Sequence, residues 1–178
     1  ALEIQQKELG ADHLEVAVTL ELLATIKSKQ FNHEQAEMFF KSALSTHEKL
    51  FGQESPKLIP LLEMVADNQL ELDKFDEAEL VCIRFVDLVQ KTRQSKSVEV
   101  ANALDKLIRV YIARQEAAKA IFCMKKSLEC RESELGSNHL DLAKVLDQYA
   151  GMLKKVDLTT EAAELEARAR IIRSGRQD

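Results

Sequence analysis

Apolar residues recur along the chain at helical spacing, and that arrangement itself recurs. Leu20, Leu23 and Ala24 supply the i, i+3, i+4 stripe of an amphipathic helix beginning near His13. Shifted by 42 residues, the stripe returns as Leu62, Val65 and Ala66, and the leucine column continues through Leu104 and Leu146. A second amphipathic segment follows in each period. It starts near Glu34, Asp76, Ala118 and Thr160, runs about five turns, and carries the column Ala36, Ala78, Ala120 and Ala162. Ala1 to Ala17 also aligns without a gap with Ser127 to Ala143, with intervening copies starting at Ala43 and Phe85. A period of this length marks a repeat architecture, in which no unit buries its apolar face alone.

Local signals set the helix boundaries. First helices begin near His13, Ser55, Ser97 and His139; Ser55 followed by Pro56 reads as an N-cap with proline at the first helical position, and Asp12 with Glu15 reads as a capping box. Second helices stop at Gly10, Gly52 and Gly136, which suit a left-handed C-terminal cap. Small residues at Ala24, Ala66 and Ala150, facing the second alanine column, allow two backbones to approach closely. The third period has Ile108 in place of that alanine, and Arg93-Gln94 where the others have an apolar residue and Gly. Irregular packing and an irregular turn are expected there.

The set Leu20, Leu23, Ala24, Ala36, Phe40 and Ala43 recurs as Leu62, Val65, Ala66, Ala78, Cys82 and Phe85. With E-L-G-A-D-H-L-E-V-A and E-L-G-S-N-H-L-D-L-A, this pattern resembles the tetratricopeptide repeat in the 42-residue form of kinesin light chains. The resemblance implies an all-α fold, a right-handed superhelical solenoid of antiparallel helix hairpins whose first helices line a concave groove. Carried onto this sequence, the groove rows are Val18, Pro60, Asn102 and Lys144; Glu21, Glu63, Asp105 and Asp147; Thr25, Asp67, Arg109 and Gly151; and Ser28, Leu70, Ile112 and Lys154. The relatives that grip a C-terminal carboxylate use Lys and Asn in these rows, whereas this groove offers acids.

The second row holds one carboxylate per period. As a line of negative charge it would attract a basic or amino-bearing segment and speed its capture. The same residues also fit a solvated helix row that drifted acidic, or a Glu inherited by all copies. Salt bridging is a third account, since Asp105 precedes Arg109 by four residues. The third period is also basic, with Lys91, Arg93, Lys96, Lys106, Arg109 and Arg114, so a groove of mixed sign fits as well. Leu70 and Ile112 are candidate anchors for apolar side chains of a peptide, while Phe31, Phe39 and Phe40 are expected in contacts between repeats.

Composition narrows the function. The 178 residues carry 25 Lys plus Arg against 30 Asp plus Glu, a net charge of -5 that disfavours general nucleic-acid binding. Five Gly and two Pro are too few for a turn-dense β fold, and no apolar run is long enough for a membrane span. Cys82, Cys123 and Cys130 lack C-x-x-C spacing and are expected as reduced, packed thiols; Cys123, near Lys125 and Lys126, is the one that could be activated. His13, His33, His47 and His139 are expected at caps or on the surface, in no metal-ligand pattern. Neither a phosphate-binding glycine motif nor a catalytic constellation is present, so neither an enzyme nor a cofactor is expected. Arg168, Arg170, Arg173 and Arg176 make the last segment basic.

With no Ser/Gly/Pro-rich linker, residues 1–178 are expected as one array: a partial second helix over 1–10, then repeats over about 12–52, 54–94, 96–136 and 138–174. Neither end shows a polar capping repeat, so continuation of the array, or stacking of Leu2, Ile4, Ile171 and Ile172 on another copy, is expected. A cytoplasmic, non-enzymatic scaffold that binds a protein or peptide, possible basic segment included, is the leading reading. Self-association through the array ends, or intramolecular regulation of a neighbouring domain, is the alternative.

Overall fold

A computed structural model describes residues 2–92 and 97–175; Arg93, Gln94, Lys96 and Arg176 of the sequence argument lie outside the described residues. The described residues form α1 (Leu2–Leu9), α2 (Leu14–Lys29), α3 (His33–Phe51), a 3₁₀ turn (Pro56–Leu58), α4 (Ile59–Glu71), α5 (Phe75–Thr92), α6 (Val98–Ala113), α7 (Ala117–Leu135), α8 (Leu140–Lys154) and α9 (Thr159–Ser174). First helices open at 14, 56, 98 and 140 and second helices at 33, 75, 117 and 159, a period of 42 residues. The chain divides into two compact units, Ala1–Thr92 and Arg93–Asp178. In the first, α2 pairs with α3 and α4 with α5; in the second, α6 pairs with α7 and α8 with α9.

Each first helix is opened by a side chain. His13 Nδ1 accepts from the Glu15 N–H at 3.2 Å and His139 Nδ1 from the Asp141 N–H at 3.2 Å, from extended cap conformations. The expected capping box of Asp12 with Glu15 is therefore replaced: His13 caps, and Asp12 is held by Lys49 Nζ at 2.7 Å. Ser97 caps α6 through the Val100 N–H at 3.4 Å. Ser55 caps with Pro56 behind it, but the segment starts as a 3₁₀ turn. Pro60 has no N–H to give to the Pro56 carbonyl, and the Ile59 N–H bonds that carbonyl instead.

The turn inside every hairpin is the same backbone device. Asn32, Lys74, Glu116 and Leu158 donate their N–H groups five residues back to the carbonyls of Lys27, Gln69, Tyr111 and Leu153. Just before them, Phe31, Asp73, Gln115 and Asp157 adopt positive φ of 54 to 60°. This is a Schellman closure built without glycine. It explains Phe31, which is 87% exposed at the turn instead of packed between repeats. Glycine is used at the other turn, between hairpins. Gly52 (φ 85°, ψ 156°) and Gly136 (φ 88°, ψ 152°) close α3 and α7 in a conformation essentially reserved for glycine, not in the left-handed helical one expected.

The alanine columns behave as the spacing predicts: Ala24, Ala66, Ala150, Ala36, Ala78, Ala120 and Ala162 are fully buried. Ile108 is fully buried too, and α6 and α7 keep the boundaries of their counterparts, so the described part of the third hairpin is regular. Phe40 shares one core cluster with Leu61 and Val65 of the following hairpin, and Leu44 packs against it. Along the second helices those two columns stay apolar through Cys82 and Met124, and through Val86 and Leu128. On α9 they become Glu166, paired with Lys154 at 2.5 Å, and exposed Arg170. At these two positions α9 is polar.

The two turn types predict opposite responses to substitution. Gly136→Ala is expected to lower unfolding free energy by about 1–3 kcal/mol, since alanine cannot relax at that φ and ψ. Gln115→Gly is expected to raise it by about 0.5 kcal/mol, the left-handed strain relieved less the entropy glycine loses. Urea denaturation midpoints of the two variants check both signs.

Candidate functional site

The carboxylate row lies on the first helices, and it is not a bare line of charge. Glu21 Oε1 sits 2.6 Å from Nε2 of buried His47 on α3, off the line of a hydrogen bond. Asp105 Oδ2 is 2.7 Å from Arg131 Nη2 on α7, and Asp147 is paired with Arg173 on α9. In all three the partner lies 26 residues on, along a column His47, Val89, Arg131 and Arg173. Glu63, opposite buried Val89 in that register, is exposed. Asp105 thus meets a cation from the second helix of its own hairpin, besides standing four residues before Arg109. Burial pushes the Glu21 carboxyl above its ordinary pKa, against the opposing pull of His47.

Around Asp105 the pairing grows into a partly buried network. Arg131 is held on Asp105 and on Asn102 Oδ1, the latter at 3.0 Å, and its Nη1 also donates to the Ser127 hydroxyl. Ser127 lies within donating reach of Asp105 Oδ1 at 2.9 Å and of the Ala101 carbonyl at 3.2 Å. Tyr149, from α8, brings its hydroxyl to Asp105 and to Ser127 Oγ, 2.8 Å away. Burial first, then the Asp105 charge and hydrogen bond, push the Tyr149 phenol far above its ordinary pKa. The network ties the second helix of one hairpin to the first helix of the next through satisfied polar groups.

Beside it α6 and α8 enclose a concave pocket of about 480 Å³, lined by Asp105, Arg109, Asp147, Gln148, Tyr149, Gly151, Met152 and Lys155. Asp105, Arg109, Asp147 and Gly151 come from the groove rows of the sequence reading. Its size is that of a pocket for one or two side chains. Gly151 has open space where a Cβ would stand. Of the remaining groove residues, Asn102 and Lys144 are exposed, the first on Arg131 and the second on Asp141 at 2.7 Å. In the first unit Thr25 Oγ1 donates to the Glu21 carbonyl at 2.8 Å and meets Met64 Sδ at 3.6 Å, and Asp67 is half-buried. Leu70 does not serve as an anchor: only 7% exposed, it belongs to the core, while Ile112 is half-buried.

Other candidate chemistry is absorbed by packing. The three cysteines are buried and unbridged, and burial raises the Cys123 pKa despite Lys126. His33 Nδ1 lies 3.1 Å from Oδ1 of buried Asn68, whose amide donates to the His33 carbonyl at 2.9 Å, locking α3 to α4. Among the described residues no cluster of His, Cys, Asp or Glu could hold a metal ion, and no helix is long and apolar enough to cross a membrane.

Residues 1–49 match the family profile described as tetratricopeptide repeat. The whole fold is similar to solved kinesin-light-chain-type arrays. For a Podosopora anserina protein of nearly identical TPR-like repeats, the TM-score is 0.85 at 19% identity, over 99% of this chain and 83% of that one. The chain folds as a tetratricopeptide-repeat array. A singly substituted form of the same Podosopora protein gives 0.84 at 19% identity, over 98% of this chain and 82% of that one. BtubC (BKLC) from P. vanneervenii gives 0.79 at 20%, over 97% and 69%. No curated protein matches in sequence. Tetratricopeptide repeats mediate contacts between proteins and are in general non-enzymatic scaffolds.

Three members of the Asp105 network escaped the sequence reading, although two of them break an apolar column. Ser127 stands in the otherwise apolar series Ala43, Phe85 and Ala169 and Tyr149 in the series Leu23, Val65 and Leu107, while Arg131 stands in the mixed column of His47, Val89 and Arg173 opposite the acids. In this tetratricopeptide array Arg131→Met, which strands Asp105, is expected to cost about 2 kcal/mol, less than for a fully buried pair because Asp105 is partly open to solvent. Arg173→Met, at an exposed pair, is expected within about 0.5 kcal/mol of the parent by the same denaturation assay. The folded pKa of Tyr149 lies above its unfolded value, so its contribution is intact below about pH 10 and is lost as pH rises beyond that. Melting temperatures between about pH 9 and 12 should fall more steeply for the parent than for Tyr149→Phe.

Proposed function

We propose that this array is a non-catalytic scaffold that takes a protein or peptide segment along its first helices, with the pocket between α6 and α8 as a principal contact. The observation that carries this reading is that four residues which the family resemblance assigns to groove rows, Asp105, Arg109, Asp147 and Gly151, line one concave pocket. Arg131 and Tyr149 fix the Asp105 carboxylate, so the pocket wall is preorganised and little ordering is needed on binding. Gly151 leaves room for a side chain of the ligand.

The sign of the preferred segment follows from the pairing. A uniformly basic ligand would find Asp105 and Asp147 already engaged by Arg131 and Arg173, with Arg109 and Lys155 on the same pocket wall. A ligand segment of mixed sign therefore suits this pocket better than a uniformly basic one.

Selection of a random peptide library against the purified chain tests this. Enriched peptides should lose affinity at least about tenfold against Gly151→Trp, which fills the pocket, and remain unchanged against Ile171→Glu on α9. Equal binding to the Gly151→Trp protein, with loss through Ile171→Glu, would remove the groove from the account.

A further inference from the structure

The second helices expose one large apolar residue at the same place in three successive hairpins. Met38 on α3, Leu80 on α5 and Phe122 on α7 stand in one column of the 42-residue period and are 70, 71 and 58% exposed. What differs is the charge one turn further on. Lys41, beside Met38, is paired with Glu37 at 3.0 Å, and Arg84, beside Leu80, is paired with Glu48 on α3. Beside Phe122 stand Lys125 and Lys126, both exposed, and neither makes an ion pair among the described residues.

The repeat register explains why Lys126 is left over. Arg84, Lys126 and Arg168 form a cationic column, and the acid that meets its outer members lies 36 residues earlier: Glu48 for Arg84 and Glu132 for Arg168. The residue 36 before Lys126 is Gln90, which carries no charge. Lys126 Nζ instead stands 4.5 Å over the Phe122 ring, a contact that orients the ammonium without neutralising it. A cation that elsewhere in the array takes a carboxylate is thus presented outward on an aromatic ring.

The same face sets the order of groups that it fits. Ala118, Phe122, Lys125 and Lys126 lie at i−4, i, i+3 and i+4, so they share one side of α7, and exposed Ala118 leaves the ring open on its N-terminal side. An apolar side chain resting there places carboxylates that follow it against the two lysines. The distance is about two turns, roughly 10 Å, which about three residues of extended chain span. A membrane surface or a nucleic acid is disfavoured, because its affinity grows with the number of charges neutralised. Here two lysines belong to a chain of net charge -5, with exposed Glu129 on the next turn.

We propose that this outward face of α7, Phe122 with Lys125 and Lys126, docks a short acidic segment of a partner protein in which an apolar residue is followed by one or two carboxylates. It shares no residue with the α6–α8 pocket and does not depend on the reading given to that pocket.

Titration of the isotope-labelled chain with a capped peptide of one leucine followed by two glutamates, read by amide chemical shifts, tests it. Shifts should centre on Phe122, Lys125 and Lys126 and saturate with a Kd on the order of 1 mM. Lys125→Glu combined with Lys126→Glu should weaken binding about tenfold or more, and Phe122→Ser about threefold or more, with unchanged far-UV circular dichroism. Gly151→Trp should bind this peptide like the parent. Absence of shifts at about 5 mM peptide, ten times weaker than needed to miss a site of this strength, overturns the proposal. So does an equal response to the same peptide with lysines for glutamates, or binding indifferent to the double charge reversal. Capture of phosphatidylserine vesicles or of a DNA oligonucleotide through these lysines, without response to the peptide, overturns it as well.

Discussion

Everything in this molecule rests on how closely two helices of a hairpin can approach. Ala24, Ala66 and Ala150 on the first helices and Ala36, Ala78, Ala120 and Ala162 on the second have no exposed surface, because each backbone lies against the other's small side chain. Close approach makes each hairpin thin, and a thin hairpin cannot enclose its larger apolar residues. Phe40 must find Leu61 and Val65 on the next hairpin. Stability is therefore shared between neighbours, in the manner of a quasi-one-dimensional stack. Ile108 shows the tolerance of the rule: one larger side chain is absorbed at full burial with no shift of helix boundaries.

Close approach also decides the electrostatics. A carboxylate on a first helix lies within reach of a side chain 26 residues later on the second, so the row that looks acidic in one dimension is cross-braced in three. The consequence is a row of carboxylates in which Glu21, Asp105 and Asp147 are oriented by their partners. Around Asp105 the bracing recruits Ser127, Tyr149 and Asn102, and a polar network replaces apolar packing at the seam between hairpins. Partly satisfied, such a network would weaken the seam; here each member finds partners, and the pocket beside it gains a fixed wall.

Much of the fold was legible in the sequence because a 42-residue register repeats every signal four times. The second-helix starts were read one residue late, and Gly52 and Gly136 stand where the helices stop. What stayed hidden was of two kinds. The Schellman turns carry Phe31, Asp73, Gln115 and Asp157, residue types with no common turn signal, so Phe31 read as core. The pairing of the acids depends on which second-helix residue faces which first-helix residue, a matter of helix phase that spacing within one helix does not contain. Leu70 failed as an anchor for a related reason: its row is buried in one hairpin, half-buried at Ser28 and Ile112 and exposed at Lys154. The pocket itself was legible as rows, while Tyr149 and Arg131 needed the fold.

The hairpin turns have one more implication. Because their shape is held chiefly by main-chain bonds, a position that already hosts an aromatic ring, two acids and an amide accepts varied side chains. These four bends are sites where a lineage can exchange side chains without disturbing the helices on either side. Variation there is free to track whatever the outer rim meets, whereas drift at Gly52 or Gly136 is held in check by the backbone.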